Sequence, residues 1–401
     1  MKKNTLHTLS ETLYISIDGI MEPLGYSQVF KYLENLSQDY QINLISFEKI
    51  QHLKDIDALT DMIKKCNQNN IIWYRFKYRN GFFGFGQLIN ILNLFIWPIY
   101  INLKRKISIV HIRSYMPGLA IPILKFFFKF NFIFDIRGFW ADEKHDRSGW
   151  SKESYKYRFF KVLEKYLIKK ADFIVTLTKQ SKCIIVDDFK KKPSRIKVIP
   201  TCVDSEEICI QPFIRKSHNL VVGYLGSTDT AYDFNKFCFF LNQIKTLECG
   251  IELRVFTGEK NKEVKEALAR NNLGDVKTQI RFIKRKDLAY ELSQLDCLGF
   301  YLKENFSIKA SMPTKIAEAL SCGIPIICNA FNLDIEELIS INNIGLIYNF
   351  TDELQNLEID EILKYRSNDH IKNRCIEIAN TYFSIAQATI EYDAIYSELN
   401  Y

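Results

Sequence analysis

Residues 309–327 read KASMPTKIAEALSCGIPII, and their types and spacing could hold an anion. Pro313 suits the start of a helix. Gly323, with Pro325 close behind, suits its end. The first turn of a helix offers unpaired N–H groups and the positive end of its dipole. The dipole alone contributes about 0.3–2 kcal/mol. Lys309 ahead of the helix and Lys315 in its first turn add full charges. Glu318 lies four residues after Thr314, one turn deeper on the same face. A carboxylate there does not bind phosphate, but it accepts hydrogen bonds from two neighbouring hydroxyls, as on a ribose. Lys309, Ser311, Pro313, Thr314, Lys315 and Glu318 therefore fit a nucleoside diphosphate. A surface helix with solvated lysines has the same composition, and spacing alone does not separate the two.

Other chemistry-bearing residues sit where strands should end. Asp135 and Arg137 follow an apolar run, where α/β sites gather, or they form an ion pair that braces the loop. Trp140, Asp142 and Glu143 come next and could orient a hydroxyl group. His111 closes another apolar run and is either a site residue or a satisfied core histidine. Asp18 stands at the mouth of the first run. Gly25, and Gly226 with Ser227, follow strand-like segments and let backbone N–H groups approach a phosphate, unless they are turn glycines. Arg285 stands before an Asp287-capped helical segment, where by itself it reads as part of an ordinary N-cap turn. Asp55 and Asp57 have the Asp-x-Asp spacing of a metal site but lie in a polar helical stretch, so they read as a solvated face. No Cys/His cluster has zinc spacing, and no catalytic metal or cofactor is expected.

The elements that must position these residues alternate. β-branched runs at 13–17, 42–47, 71–76, 109–112, 132–135, 173–176 and 196–199 are separated by amphipathic helical segments. A second series follows at 220–225, 253–257, 280–283, 297–301, 325–328 and 345–348. This is the pattern of two parallel sheets in tandem, with a break near 200–204 and a cleft between the sheets. Residues 1–200 form one expected domain and 201–380 the second. A terminal helical segment, 381–401, is expected to pack back on the first.

The 401 residues, 47% hydrophobic, suffice for two packed cores and exclude global disorder. Residues 1–200 hold 33 Lys/Arg and 18 Asp/Glu, while 201–401 hold 21 and 29. A basic half and an acidic half point to different partners. No zinc finger, RNP motif or heptad-linked basic region supports nucleic acid. Ten cysteines without a C-x-x-C fit reduced thiols in a cytoplasmic protein. The first residues lack an apolar core before a cleavage site and do not read as a signal peptide. Residues 81–103 hold no charge and precede Lys104-Arg105-Lys106, so they form either a buried helix or a membrane-touching segment with a basic anchor.

The run Ser-x-Pro-Thr-Lys-x-x-Glu-x-Leu-x-x-Gly-Ile-Pro-Ile-Ile at 311–327 resembles the donor motif of the family-four retaining glycosyltransferases with the GT-B fold. Residues 17–28, IDGIMEPLGYSQ, resemble the first glycine-bearing loop of a branch that builds surface polysaccharides. HIRSY at 111–115 and DIRGFWADE at 135–143 resemble its acceptor-side motifs. VIPTCVD at 198–204 and VGYLGS at 222–227 are similar to the interdomain motif and to the opening of the donor domain. The resemblance runs in order from about residue 13 to 385. It implies a nucleotide-sugar donor, UDP- or GDP-linked, bound by Gly25, Gly226, Ser227, Arg285 and the residues of 309–318. Catalytic roles then fall on Asp135, Arg137, Lys309 and Lys315, and acceptor contacts on His111, Arg113, Trp140, Asp142 and Glu143. The implied acceptor is a lipid-linked saccharide at the inner membrane surface. Two features depart from the family. Alanine stands at 310, where many relatives have a first glutamate, and no histidine follows Asp135. An epimerase using the same cleft, or a non-catalytic subunit, are the competing readings.

Overall fold

The structure is a computed structural model describing residues 9–79, 85–214, 218–245, 247, 250–349, 354–366 and 368–400. Residues 1–8 and 81–84, which carry parts of the N-terminal and uncharged-segment expectations, lie outside the described residues. The first half contains β1 (Ser10–Ser16), β2 (Tyr40–Glu48), β3 (Ile71–Lys77), β4 (Ile107–Arg113), β5 (Asn131–Ile136), β6 (Phe173–Thr176) and β7 (Ile196–Val198). The second contains β8 (Leu220–Leu225), β9 (Ile251–Phe256), β10 (Lys277–Arg281), β11 (Cys297–Gly299), β12 (Ile326–Cys328) and β13 (Gly345–Ile347).

Both sheets are parallel, in the orders β3-β2-β1-β4-β5-β6-β7 and β10-β9-β8-β11-β12-β13. Parallel strands carry helices on both faces, so their central residues are apolar throughout. Leu13 and Ile15 in β1, and Val222 and Tyr224 in β8, are fully buried. Each strand order reverses beside its first strand, between β1 and β4 and between β8 and β11. That reversal opens a crevice at the carboxyl ends. The run expected at 280–283 is displaced: the strand is Lys277–Arg281. It is an edge strand paired only with β9, and its Lys277, Thr278 and Gln279 hide the apolar signal.

The chain crosses between domains twice, and the two crossings hydrogen-bond to each other. The Val203 N–H donates to the Phe383 carbonyl at 2.8 Å, and the Ile385 N–H to the Val203 carbonyl at 3.1 Å. Gln28 Nε2 holds the first crossing through the Cys202 carbonyl at 2.6 Å. The helix Asp369–Tyr382 stays on the second domain through Ile371, Cys375 and Ala379. The helix Ile385–Asn400 lies on the first, burying Tyr392, Ile395 and Tyr396 against Tyr14, Tyr32 and Tyr40. Arg195 pairs with Glu398 at 2.6 Å beside this contact.

Ile395→Ala is expected to cost about 2–4 kcal/mol in urea unfolding, because it leaves a cavity between the terminal helix and the first sheet. Substitution of exposed Ile390 on the same helix is expected to change stability by under about 0.5 kcal/mol.

Candidate functional site

The helix Thr314–Ser321 begins one residue after Pro313, which is its N-cap. Lys315 is buried at the end of β8 rather than solvated. Its Nζ has no hydrogen-bond acceptor among the described residues and lies 3.5 Å from the ring centroid of Tyr232, 5.0 Å from that of Phe300 and 5.3 Å from that of Tyr224. Burial pushes its pKa down to about 7. The ring faces favour the ammonium form but replace only part of the lost hydration, so the direction is set by burial. Gly226, with φ +113°, makes room for this amine: a side-chain carbon there would sit 3.1 Å from Lys315 Nζ. Ser227 follows, its carbonyl accepting from Tyr224 Oη at 2.7 Å.

Glu318 is buried one turn deeper. Burial raises its carboxyl above the usual range, and Arg285 and Lys315 pull the other way. Arg285 Nη1 lies 3.5 Å from Glu318 Oε1. The same guanidinium grips Glu207 through Nε at 2.8 Å and Nη2 at 3.2 Å. Arg285 therefore acts through its side chain, bridging two carboxylates. Glu207 was not legible in the sequence, since it lies 78 residues away with no motif around it.

Lys309 is placed differently from Lys315. It sits in the turn Phe306–Ala310, exposed, with Nζ 5.6 Å from the Phe306 ring centroid. Its side chain lines a separate cavity with Gln180, Asn305 and Asn332. The expected pair of lysines at one helix terminus thus divides into a buried amine and an exposed one, the latter on a turn pinned to the first domain. Thr178 Oγ1 donates to the Lys309 carbonyl at 2.8 Å, Thr201 Oγ1 to the Met312 carbonyl at 2.6 Å, and the Ser307 N–H to Asp146 at 3.0 Å. Asp334 accepts from the N–H groups of Lys179 and Gln180 at 2.6 and 3.0 Å, capping a helix of the opposite domain. The Ser311 carbonyl accepts from Asn332 at 2.8 Å, which holds the loop before Thr314.

Across the cleft, several expected site residues prove to be supports. Asp135 has no exposure; Arg137 lies 3.4 Å away, Arg113 3.6 Å and the Tyr392 hydroxyl 3.2 Å. Such a carboxylate braces strand ends and does not reach a substrate, so its catalytic assignment is corrected. Arg113 and Arg137 join the same brace, Arg113 also reaching Asp18 at 3.4 Å, while Arg137 Nη2 has no hydrogen-bond partner among the described residues. His111 is buried under the terminal helix, with Nδ1 2.8 Å from Tyr396 Oη, and burial lowers its pKa to about 4. It is a core histidine rather than an acceptor contact. Asp142 is buried and bound by Tyr157 Oη at 2.6 Å and Lys161 at 2.9 Å, so it is structural too. Trp140 packs on Phe160, with centroids 4.4 Å apart. Gly25 lies in a helical turn where any side chain would strike the Gly19 carbonyl, so a packing need accounts for it.

Glu143 is the exception on that helix. It is partly exposed, 3.9 Å from Arg147, and burial raises its carboxyl. The helix Trp140–Ser148, which carries Glu143 and Arg147, meets the second domain at the turn Phe306–Ala310, where Asp146 accepts from the Ser307 N–H. Among the described residues no cluster of three His, Cys, Asp or Glu side chains could hold a metal ion. Asp55 caps its own helix at the Ala58 N–H, 3.1 Å away.

Residues 58–207 match the model described as Glycosyltransferase Family 4. Solved structures share the whole architecture. Sucrose-phosphate synthase from Thermosynechococcus elongatus is 12% identical with TM-score 0.71, covering 97% of this chain and 99% of that one. HepE of Anabaena in complex with UDP and glucose is 13% identical with TM-score 0.68, covering 97% and 100%. WaaG, a glycosyltransferase involved in lipopolysaccharide biosynthesis, is 12% identical with TM-score 0.63, covering 94% and 98%. No curated protein matches the sequence. The chain has the GT-B fold that these glycosyltransferases share. Its matched segment spans the helices and strands from before β3 to the interdomain crossing, so the family signal lies in the first domain.

The amine of Lys315 binds fewer protons folded than unfolded between pH 7 and 10.5. Stability is therefore expected to rise with pH across that window. Lys315→Met should raise the unfolding midpoint near neutral pH and flatten that rise. Thermal melts at several pH values check this, and an unchanged slope would mean that the amine stays charged in the fold.

Proposed function

We propose that this protein is a glycosyltransferase that takes a sugar from a UDP- or GDP-linked donor and passes it, with retention of configuration, to a lipid-linked saccharide. The setting is capsule, O-antigen or exopolysaccharide synthesis at the inner face of the cell membrane. The observation that carries the donor half is the group of Gly226, Lys315, Glu318 and Arg285 at the carboxyl ends of the second sheet, in which Lys315 and Glu318 are buried. The complexes of HepE with UDP and glucose support a nucleoside diphosphate there.

In this reading the diphosphate meets Lys315 and the open end of its helix. A preorganised cation in a pocket with little water stabilises the leaving group strongly. The amine, protonated as the diphosphate arrives, serves where other enzymes use a metal. Glu318 accepts from the ribose hydroxyls, and Arg285 opposes the effect of burial on that carboxyl. Glu143 is the acceptor-side carboxylate with access to the cleft, so it, rather than Asp135, meets the incoming hydroxyl. Approach of the two domains excludes water and limits hydrolysis. The basic first domain, and the involvement of WaaG in lipopolysaccharide biosynthesis, support an acceptor of the surface-polysaccharide kind.

Calorimetric titration with UDP- and GDP-sugars, without metal, is expected to give micromolar to millimolar binding of one donor. Glu318→Ala should weaken it at least about ten-fold, or roughly 1.4 kcal/mol. No binding across the panel would sink the donor reading and leave a non-catalytic subunit. Donor turnover without acceptor would indicate an epimerase.

A further inference from the structure

Residues 62–134 contain eleven Lys/Arg and no Asp or Glu. The fold places much of this segment on one face of the first sheet. Crossovers β3 to β4, β4 to β5 and β5 to β6 step in the same direction, so the helices Phe85–Lys104, Ile121–Phe127 and Tyr155–Lys170 lie on that face. The turn Pro117–Ala120 touches the first and third of these and joins them into one surface.

The long helix is neither a core helix nor a free span. Leu94 and Ile101 anchor it to the core, and the buried side chain of Asn90 bonds the backbone of Arg79 at 3.3 and 3.1 Å. Yet only 22% of its most apolar window is buried. Leu88, Leu92, Ile96, Tyr100 and Leu103 recur every three or four residues and face outward. Leu103 is 71% exposed. Beside this stripe Phe126 is 81% exposed and Phe127 66%. Phe159 and Val162 extend it onto the third helix. An outward apolar surface of this extent marks a docking site.

Cations are interspersed with it. Lys104, Lys106, Lys129, Lys156, Lys165 and Lys169 join no ion pair among the described residues, whereas Arg105 and Lys125 are paired with Glu11 and Asp172. Lys104, Arg105, Lys106 and Lys129 line a cavity of about 920 Å³ at the end of the long helix. Apolar side chains able to enter a headgroup layer, with lysines placed to meet phosphates, complement an anionic bilayer.

We propose that this three-helix face docks the protein on an anionic lipid surface, with the Phe85–Lys104 helix lying flat in the headgroup layer. The helix follows β3, so it starts at the carboxyl edge of the sheet, on the cleft side, and ends at the opposite edge. The cleft is thereby held beside the membrane rather than facing away from it. The proposal leans on the proposed function only for the purpose of the surface, because vesicle binding is measured without donor or acceptor.

Co-sedimentation with vesicles of phosphatidylcholine alone, and of two parts phosphatidylcholine to one of phosphatidylglycerol, tests it. Binding is expected to the anionic vesicles only and to weaken with salt. L92E/I96E/F126E and K104E/K106E/K129E should each lower vesicle affinity at least about ten-fold. Both should keep the wild-type melting curve and the wild-type UDP-sugar titration, which separates a failure of this surface from a failure of the donor site. Equal sedimentation of wild type and both variants would overturn the proposal. So would wild-type self-association in the ultracentrifuge that L92E/I96E/F126E abolishes, which would make the face an interface between copies.

Discussion

Asp135 is a carboxylate with no access to water, and much of the first domain is arranged around giving it partners. A buried charge without compensation costs several kcal/mol, so its partners cannot drift. Arg113 comes from the end of β4, Arg137 from the loop after β5 and Tyr392 from the terminal helix. One group thus ties two central strands to a helix that begins in the other domain's crossing. The loop after β5, which leads to Glu143, inherits its position from that brace. This is why residues with catalytic chemistry at strand ends serve here as supports.

A second set of coupled charges organises the facing domain. Glu207, Arg285, Glu318 and Lys315 alternate in sign from the interdomain crossing to the end of β8. Glu207 sits just after the crossing, so the position of the chain between domains and the state of the donor pocket share one guanidinium. Lys315 is the least satisfied member. It trades water for three aromatic faces, which hold an ammonium less well than water but leave it free for a phosphate. Stability is given up there in a form that the proposed diphosphate would restore.

Much of the fold was legible in the sequence because buried parallel strands are apolar runs, and twelve of thirteen stand close to their expected places. The exception, β10, is an edge strand whose polar residues remove the signal. The donor helix was legible too, since Pro313, Gly323 and Pro325 bound it through backbone geometry alone. Less of the site was legible. Asp135, Asp142 and His111 have the residue types of an active site, and nothing local in the chain records that Tyr392, Tyr157 and Tyr396 occupy them.

The sequence by itself determined two parallel sheets, the cleft at their carboxyl ends, the placement of Lys315 and Glu318 one turn apart, and an uncharged helix flanked by lysines. These follow from periodicity and from helix geometry over a few residues. Only the tertiary structure decided that Lys315 is buried among Tyr224, Tyr232 and Phe300, that Glu207 reaches Arg285, and that the apolar helix turns its longer stripe outward. Each of those depends on groups far apart in the chain, and burial and charge compensation are properties of the packed whole.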